Sequence, residues 1–324
     1  MKILVTGNLG YIGPVLTTAF LARGHEVHGY DSGLFASFAT QSLPRVAKQT
    51  IADLRDAKAL RQAIGPCAAV VHLAAMSNDP LGELDPAVTR AVNLDATLDL
   101  IDACRDRALT LYSSASVYGV SDEPCGEDAR PRPLTLYSEL KVAAEGAALT
   151  SPTALVLRNG TVHGPAPVIR GDLLLNSMVA SALVTDQIVL TTTGATKRPV
   201  VDVRDLASLT VGLVERGVTG LYNVAGANIS VDDAAAVVAR ATNAAIVEQH
   251  DGADPRNYAM DTGRLMALAG AWWHPRALDV SVRDLVLHYG AMRLTSRDVR
   301  ERRYHRIVQY RMAVSGNIAA AAAK

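Results

Sequence analysis

The chain has 324 residues, 49% of them hydrophobic and 20% charged, and its 32 basic and 32 acidic side chains cancel to a formal net charge of zero. With a sequence pI near 7.1, no global field draws it to nucleic acid or to an anionic membrane. No apolar run approaches the ~20 residues of a membrane span, and the opening MKILVTG has no signal-peptide core. Cys67, Cys104 and Cys125 form an odd, scattered set without CxxC spacing. That pattern suits a reducing cytoplasm and neither a disulfide framework nor a zinc site. The expectation is a cytoplasmic protein with no metal, nucleic-acid or membrane partner.

In chain order, strands are predicted at 2–7, 26–31, 47–53, 68–75, 109–114 and 153–160, with helices at 12–23, 56–64, 86–107 and 137–149. Strand–helix alternation of this kind gives a parallel sheet covered by helices on both faces, and an all-apolar run such as AAVVHLAA suits a strand buried on both sides. The rhythm breaks after residue 165. GPAPVIRGD reads as an exposed connection. It is followed by a helix at 173–185, strands near 188–192 and 199–203, a helix near 205–216, the strand LYNVAG and a helix at 231–242. This half is expected to form a smaller lobe that caps the first and shares strands with it. The Arg-rich stretch 295–312 reads as a solvated or subunit-facing helix, with an acidic partner as the alternative. The final AAAAAK is set aside as a frayed end or a remnant.

TGNLGYIG places Gly7, Gly10 and Gly13 after the first strand and into the first helix. Glycines there let the backbone turn tightly and approach a dinucleotide diphosphate, which rests on the helix N-terminus. A ligand-free glycine turn has the same letters, and only the strand-before, helix-after context favours the cofactor site. Asp31 closes the second strand, 18 residues after Gly13. A carboxylate there accepts from ribose hydroxyls and repels a 2′-phosphate, and YDSGLF offers no arginine beside it, so NAD is favoured over NADP. Asp31 also reads as a turn residue before Ser32-Gly33. Asp53 reads either as an adenine contact or as a helix N-cap.

Tyr137 and Lys141 stand at i, i+4 on one helical face, close enough for the ammonium to act on the phenol. Free tyrosine titrates near 10, so proton transfer at neutral pH needs the phenolate favoured by nearby positive charge. A surface Tyr/Lys pair is the plain alternative. The serines of SSASVYG, 113–119, end the fifth strand, 23 residues before Tyr137 when counted from Ser114. No GxSxG elbow or suitably placed histidine makes a nucleophile of them, so hydrogen bonding to a substrate hydroxyl is the better role. In a doubly wound sheet the glycine turn, the serines and the Tyr–Lys pair all meet at the carboxyl ends of the strands.

With these motifs in place, the sequence closely resembles the extended short-chain dehydrogenase/reductase family of NAD-dependent nucleotide-sugar epimerases and dehydratases, such as the UDP-galactose 4-epimerases. The resemblance rests on TGxxGxxG at 6–13, HLAA at 72–75, NLDATLDLIDAC at 93–104, SSASVYG, Tyr137/Lys141, LRNGTVHGP at 157–165, KRPVVDVRDLA at 197–207 and YNVAG at 222–226. It implies a Rossmann-type doubly wound parallel sheet binding NAD over 1–165. A smaller C-terminal α/β lobe, 166–324, partly interleaved with the first, would take a nucleotide-diphosphate sugar. The resemblance puts Gly7, Gly10, Tyr11, Ile12, Gly13, Asp31, Asp53, Leu54, Leu73, Ala74, Ala75, Asn93, Tyr137 and Lys141 against the cofactor. Ser114, Tyr137 and Lys141 are the catalytic set. Tyr137 takes the hydroxyl proton as hydride passes to NAD, and Lys141 binds the nicotinamide ribose. Ser114, Ser116, Thr161, Asn176, Arg198, Arg256 and Tyr258 are implied substrate contacts, and each of the two arginines reads equally as a surface residue. A homodimer through helices 86–107 and 137–149 is also implied.

The departures narrow the reaction. Sugar 4,6-dehydratases carry an Asp-Glu pair just after the Ser/Thr; here Ala115 and Ser116 stand there, and neither exchanges a proton at neutral pH. Asp202 replaces a frequent histidine and His163 a frequent tyrosine, which bears on the substrate pocket. The expected activity is a nucleotide-sugar epimerase, at C4. The alternatives are an NAD(P)H-dependent keto-sugar reductase of deoxysugar or antibiotic-sugar biosynthesis and a non-catalytic dinucleotide-sensing protein. Sugar, nucleotide and pathway are left open.

Overall fold

A computed structural model describes residues 1–77, 79–191, 194–249 and 256–322. The strands and helices are β1 (Lys2–Thr6), α1 (Ile12–Ala22), β2 (Glu26–Asp31), β3 (Lys48–Ile51), α2 (Ala57–Ile64), β4 (Ala69–His72), α3 (Asp79–Gly82), α4 (Pro86–Arg90), α5 (Ala96–Ala103), β5 (Ala108–Ser114), α6 (Leu136–Ala148), β6 (Ala154–Asn159) and β7 (Thr161–His163). The chain continues through α7 (Leu174–Thr185), β8 (Gln187–Leu190), β9 (Lys197–Asp202), α8 (Val203–Glu215), β10 (Gly220–Val224), β11 (Ala227–Ser230), α9 (Val231–Thr242), β12 (Ala245–Glu248), α10 (Gly263–Ala269), α11 (Leu278–Ala291), α12 (Ser296–Arg300) and α13 (Arg306–Ala322).

Seven strands form one parallel sheet in the order β3-β2-β1-β4-β5-β6-β10. Alternate residues of each strand feed opposite cores, as a pleat requires. Ile3 and Val5 pack with Leu16 and Phe20 of α1 and Leu206 and Leu209 of α8. Leu4, between them, packs with Leu60 of α2, Leu100 of α5 and Leu140 and Ala144 of α6. Each such leucine contributes about 2 kcal/mol by leaving water, which fixes the sheet between two helical layers.

The chain order reverses across the sheet between β1 and β4, which opens a crevice at their carboxyl ends. The polypeptide beyond residue 165 crosses back into this layer, since β10 pairs with β6 and α8 covers the same face as α1. α10 also joins that first core through Leu265 and Ala269, while α7, α9 and α11 form a separate cluster around Leu175, Val179, Val238 and Leu285, beside small sheets β11-β9-β7 and β12-β8.

Four expectations change. The helix at 86–107 is broken into α4 and α5 by a π-helical turn, Ala91–Asp95, a local widening often found at functional sites. The strand expected at 188–192 ends at Leu190, and position 192 lies outside the described residues. GPAPVIRGD is not an exposed connection. Val168, Ile169 and Arg170 are buried, and the Arg170 charge is carried inside by its fork onto Asp172, with both contacts at 2.8 Å. The basic tail does not form one outward-facing helix either: α12 ends at Arg300, and α13 turns inward with Arg306 and Gln309 buried. Among the described residues no helix is long and apolar enough to cross a membrane.

Candidate active site

The crevice holds a cavity of about 550 Å³. Its floor is the turn after β1. Gly7 has φ +72° and donates to the Tyr30 carbonyl at 2.8 Å, and a Cβ there would lie 2.8 Å from the Ala74 nitrogen. A Cβ on Gly13 would strike the Gly7 carbonyl. These absent side chains leave the cradle that a diphosphate needs above α1. Tyr11, at the N-cap, makes no capping hydrogen bond, so the N–H groups of the first helical turn remain for an anion.

Of the expected cofactor contacts, Gly7, Gly10, Tyr11, Ile12, Gly13, Asp31, Asp53, Leu54, Leu73, Ala74 and Ala75 all line this cavity. Asp31 is fixed by the amides of Leu9 at 3.0 Å and Gly33 at 2.8 Å, and burial raises its pKa against their pull. Asp53 is not the cap of α2; Asp56 caps it through the Ala59 amide, and Asp53 instead holds Arg55 at 2.7 Å. Asn93 does not line the cavity. Within the π-helical turn its amide exchanges two hydrogen bonds with the Met76 backbone, at 2.7 and 3.0 Å, and so braces the wall.

Tyr137 and Lys141, carried on α6, and Ser114 are likewise not among the residues that line this cavity. Thr135 and Ser138 close a capping box that fixes the start of this helix. Lys141 Nζ lies 5.7 Å from the centre of the Tyr137 ring and donates to the Tyr112 carbonyl at 2.8 Å. Burial lowers the ammonium to about 8. Tyr137 is pushed above its ordinary value, first by burial and then by the charge of Asp79, while Arg170 and a hydrogen bond to Ser114 oppose the rise. Among the charges that act on the phenol, Arg170 favours its ionised form and Asp79 opposes it. Ser114 Oγ also meets Ser116 Oγ at 2.9 Å.

The expected substrate contacts divide. Arg256 reaches Asp79 at 2.6 Å, and the Arg198 guanidinium donates to the Arg256 carbonyl while lying 5.9 Å over the Tyr258 ring. Tyr258 in turn acts electrostatically on Tyr137. Thr161 begins β7, which pairs with β9, the strand of Arg198. Asn176 is fully buried, and its amide bonds go to Gly164, Tyr11 and the Arg170 carbonyl. In this arrangement it positions Arg170 instead of facing the crevice. Asp202 and His163 meet through Ser281 in a buried network beside Arg204, away from Tyr137.

The NAD-dependent epimerase/dehydratase family model matches residues 3–225. The chain belongs to that family. UDP-glucuronate 4-epimerase 6 of Arabidopsis thaliana is 29% identical over 187 residues, 51% of this chain and 40% of that protein. UDP-glucose 4-epimerase of Corynebacterium glutamicum is 32% identical over 149 residues, 45% of each chain. The match thus spans less than half the length of these relatives. The solved structure of the Thermus thermophilus UDP-glucose 4-epimerase in complex with NAD has 26% identity and a TM-score of 0.76, with 90% of this chain and 99% of that one covered.

Three cavity residues carry no signal in the family motifs. Arg170 sits in a stretch read as a loop, Phe35 follows β2, and Arg306 comes from α13, 275 positions after Asp31. Buried and paired with Asp172 or stacked on an aromatic ring, these cations are recognisable only in three dimensions.

Proposed function

We propose that this enzyme is a nucleotide-sugar epimerase acting at C4. The observation that carries the reading is the Ser114–Tyr137 hydrogen bond within the field of Arg170, a residue of the cavity wall, with Ala115 and Ser116 where an eliminating enzyme needs two acids. Bound NAD supplies a reversible hydride acceptor. Ser114 Oγ holds the sugar hydroxyl, and Tyr137 Oη takes its proton, then returns it once the keto-sugar has turned over in the pocket. The positive charges of Arg170 and Lys141 favour the phenolate during that step. Arg198 and Arg256, with Thr161 and Tyr258, take the nucleotide diphosphate, for which a guanidinium fork is suited. Arg256 exchanges Asp79 for phosphate when substrate enters. A homodimer through the helical stretches 86–107 (α4 and α5) and 137–149 (α6) is part of the proposal and is checked by sedimentation mass.

The test is incubation of the purified protein with UDP-glucose, UDP-glucuronate and a panel of other nucleotide sugars, once without added dinucleotide and once with NADH or NADPH. Appearance of the 4-epimer supports the proposal. Consumption of one NAD(P)H per product shows a keto-sugar reductase instead, and loss of neither substrate nor NADH across the panel points to a sensing protein.

A further inference from the structure

Arg306 is 3% exposed and lies with its guanidinium carbon 3.8 Å from the centre of the Phe35 ring. Its Nη1 meets Gln309 Oε1 at 3.3 Å, and its Nε has no partner. Arg306 makes no ion pair among the described residues, although Asp31 and Asp172 act on it through space. Both carboxylates are already engaged, Asp31 by two backbone amides and Asp172 by Arg170. Burial, together with the like charge of Arg170, lowers the guanidinium to about 9, so it stays cationic at neutral pH. A buried cation with an open donor costs several kcal/mol unless an anion meets it.

The position of that donor names the anion. Arg306, Tyr310 and Val314 of α13 line the same cavity as the glycine turn, Asp31 and Arg170. Asp31 marks the end of the crevice suited to the adenosine ribose, and Arg170 the end whose charge reaches Tyr137. Arg306 feels both. Between those ends a bound dinucleotide passes its diphosphate over the N-terminus of α1.

We propose that Arg306 binds the diphosphate of NAD from the side opposite α1, making helix α13 a strap that retains the cofactor. The strap explains why a charged residue at the start of α13 is buried against Phe35: the ring supports one face of the guanidinium and leaves its edge donors for phosphate oxygens. A retained dinucleotide suits a catalyst that returns hydride to the same sugar. The inference nevertheless rests only on the cofactor site, so it stands or falls separately from the choice of reaction.

The test is equilibrium binding of NAD, ADP-ribose and adenosine to the full-length protein and to its Arg306→Met and Arg306→Lys variants. Arg306→Met is expected to weaken NAD and ADP-ribose by about tenfold to a hundredfold, the worth of hydrogen bonds to a charged group. Adenosine, which lacks the diphosphate, should bind unchanged, and Arg306→Lys should recover part of the loss. Unchanged NAD affinity, or equal weakening of all three ligands, overturns the proposal. Hydrogen exchange on the unaltered protein needs no variant. Backbone amides of residues 306–315 should be protected by ADP-ribose and not by adenosine, and the same response to both, or to neither, counts against it.

Discussion

Asp79 and Arg256 form an ion pair 2.6 Å long that joins the C-terminal half of the chain to the start of α6, where Thr135 donates to the other oxygen of Asp79 at 2.5 Å. The Asp79 charge opposes ionisation of Tyr137. Asp79→Asn keeps an acceptor for Thr135 and removes the charge, so the Tyr137 pKa falls. If the phenolate is the active base, the acid limb of the kcat profile moves to lower pH. A limb that stays in place or moves up would show that Asp79 does not act on the phenol.

Tyr137→Phe removes the proton acceptor without emptying the cofactor cleft, since the ring remains. The expected loss in kcat is about a hundredfold to ten-thousandfold, the usual worth of a positioned acid or base. NAD released from the denatured variant should still match that from the unaltered protein. A variant with full activity sinks the proposed chemistry.

Between α6 and β6, Glu145 and Arg158 form a buried pair at 2.8 Å, both side chains 4% exposed. Arg158 also donates to Tyr118 at 2.9 Å, and Ser113 donates to Glu145. Arg158→Met strands a buried carboxylate and should cost about 3–5 kcal/mol in urea unfolding. Adding Glu145→Gln should recover part of that loss, because the stranded charge goes with it. A single variant as stable as the parent would mean that the pair contributes nothing.

Stability should fall in mild acid. His72, held between Thr6 at 2.7 Å and Thr97 at 3.1 Å, is pulled down to about 3 by burial, and His163 likewise to about 4. Below the unfolded value of about 6.5 the unfolded chain binds protons that the folded chain refuses, so each histidine removes about 2 kcal/mol by pH 5. Above pH 6.5 the effect vanishes. Urea midpoints taken near pH 7.5 and pH 5 check this, and His72→Gln should narrow the difference between them. Equal midpoints in the parent protein would refute it.

The sequence by itself determined the sheet and the glycine turn that opens it. Strand and helix spans through residue 159 agree within three residues at most ends, because alternation and turn chemistry are local and the strands are buried on both faces. The glycine turn and Asp31, which line the cavity, were legible for the same reason: each needs a particular residue at a particular end of a local element. Tertiary structure alone decided what acts on them across the crevice. Asn93 and Asn176 make buried bonds that brace the backbone, and Arg170 adds a charge acting on Tyr137 that the local sequence did not show. Arg306 arrives from the far end of the chain to stand by Asp31, where the local letters offered no arginine. Coulombic and packing terms depend on distance in space, and a crevice built where the chain order reverses gathers residues that the sequence keeps hundreds of positions apart.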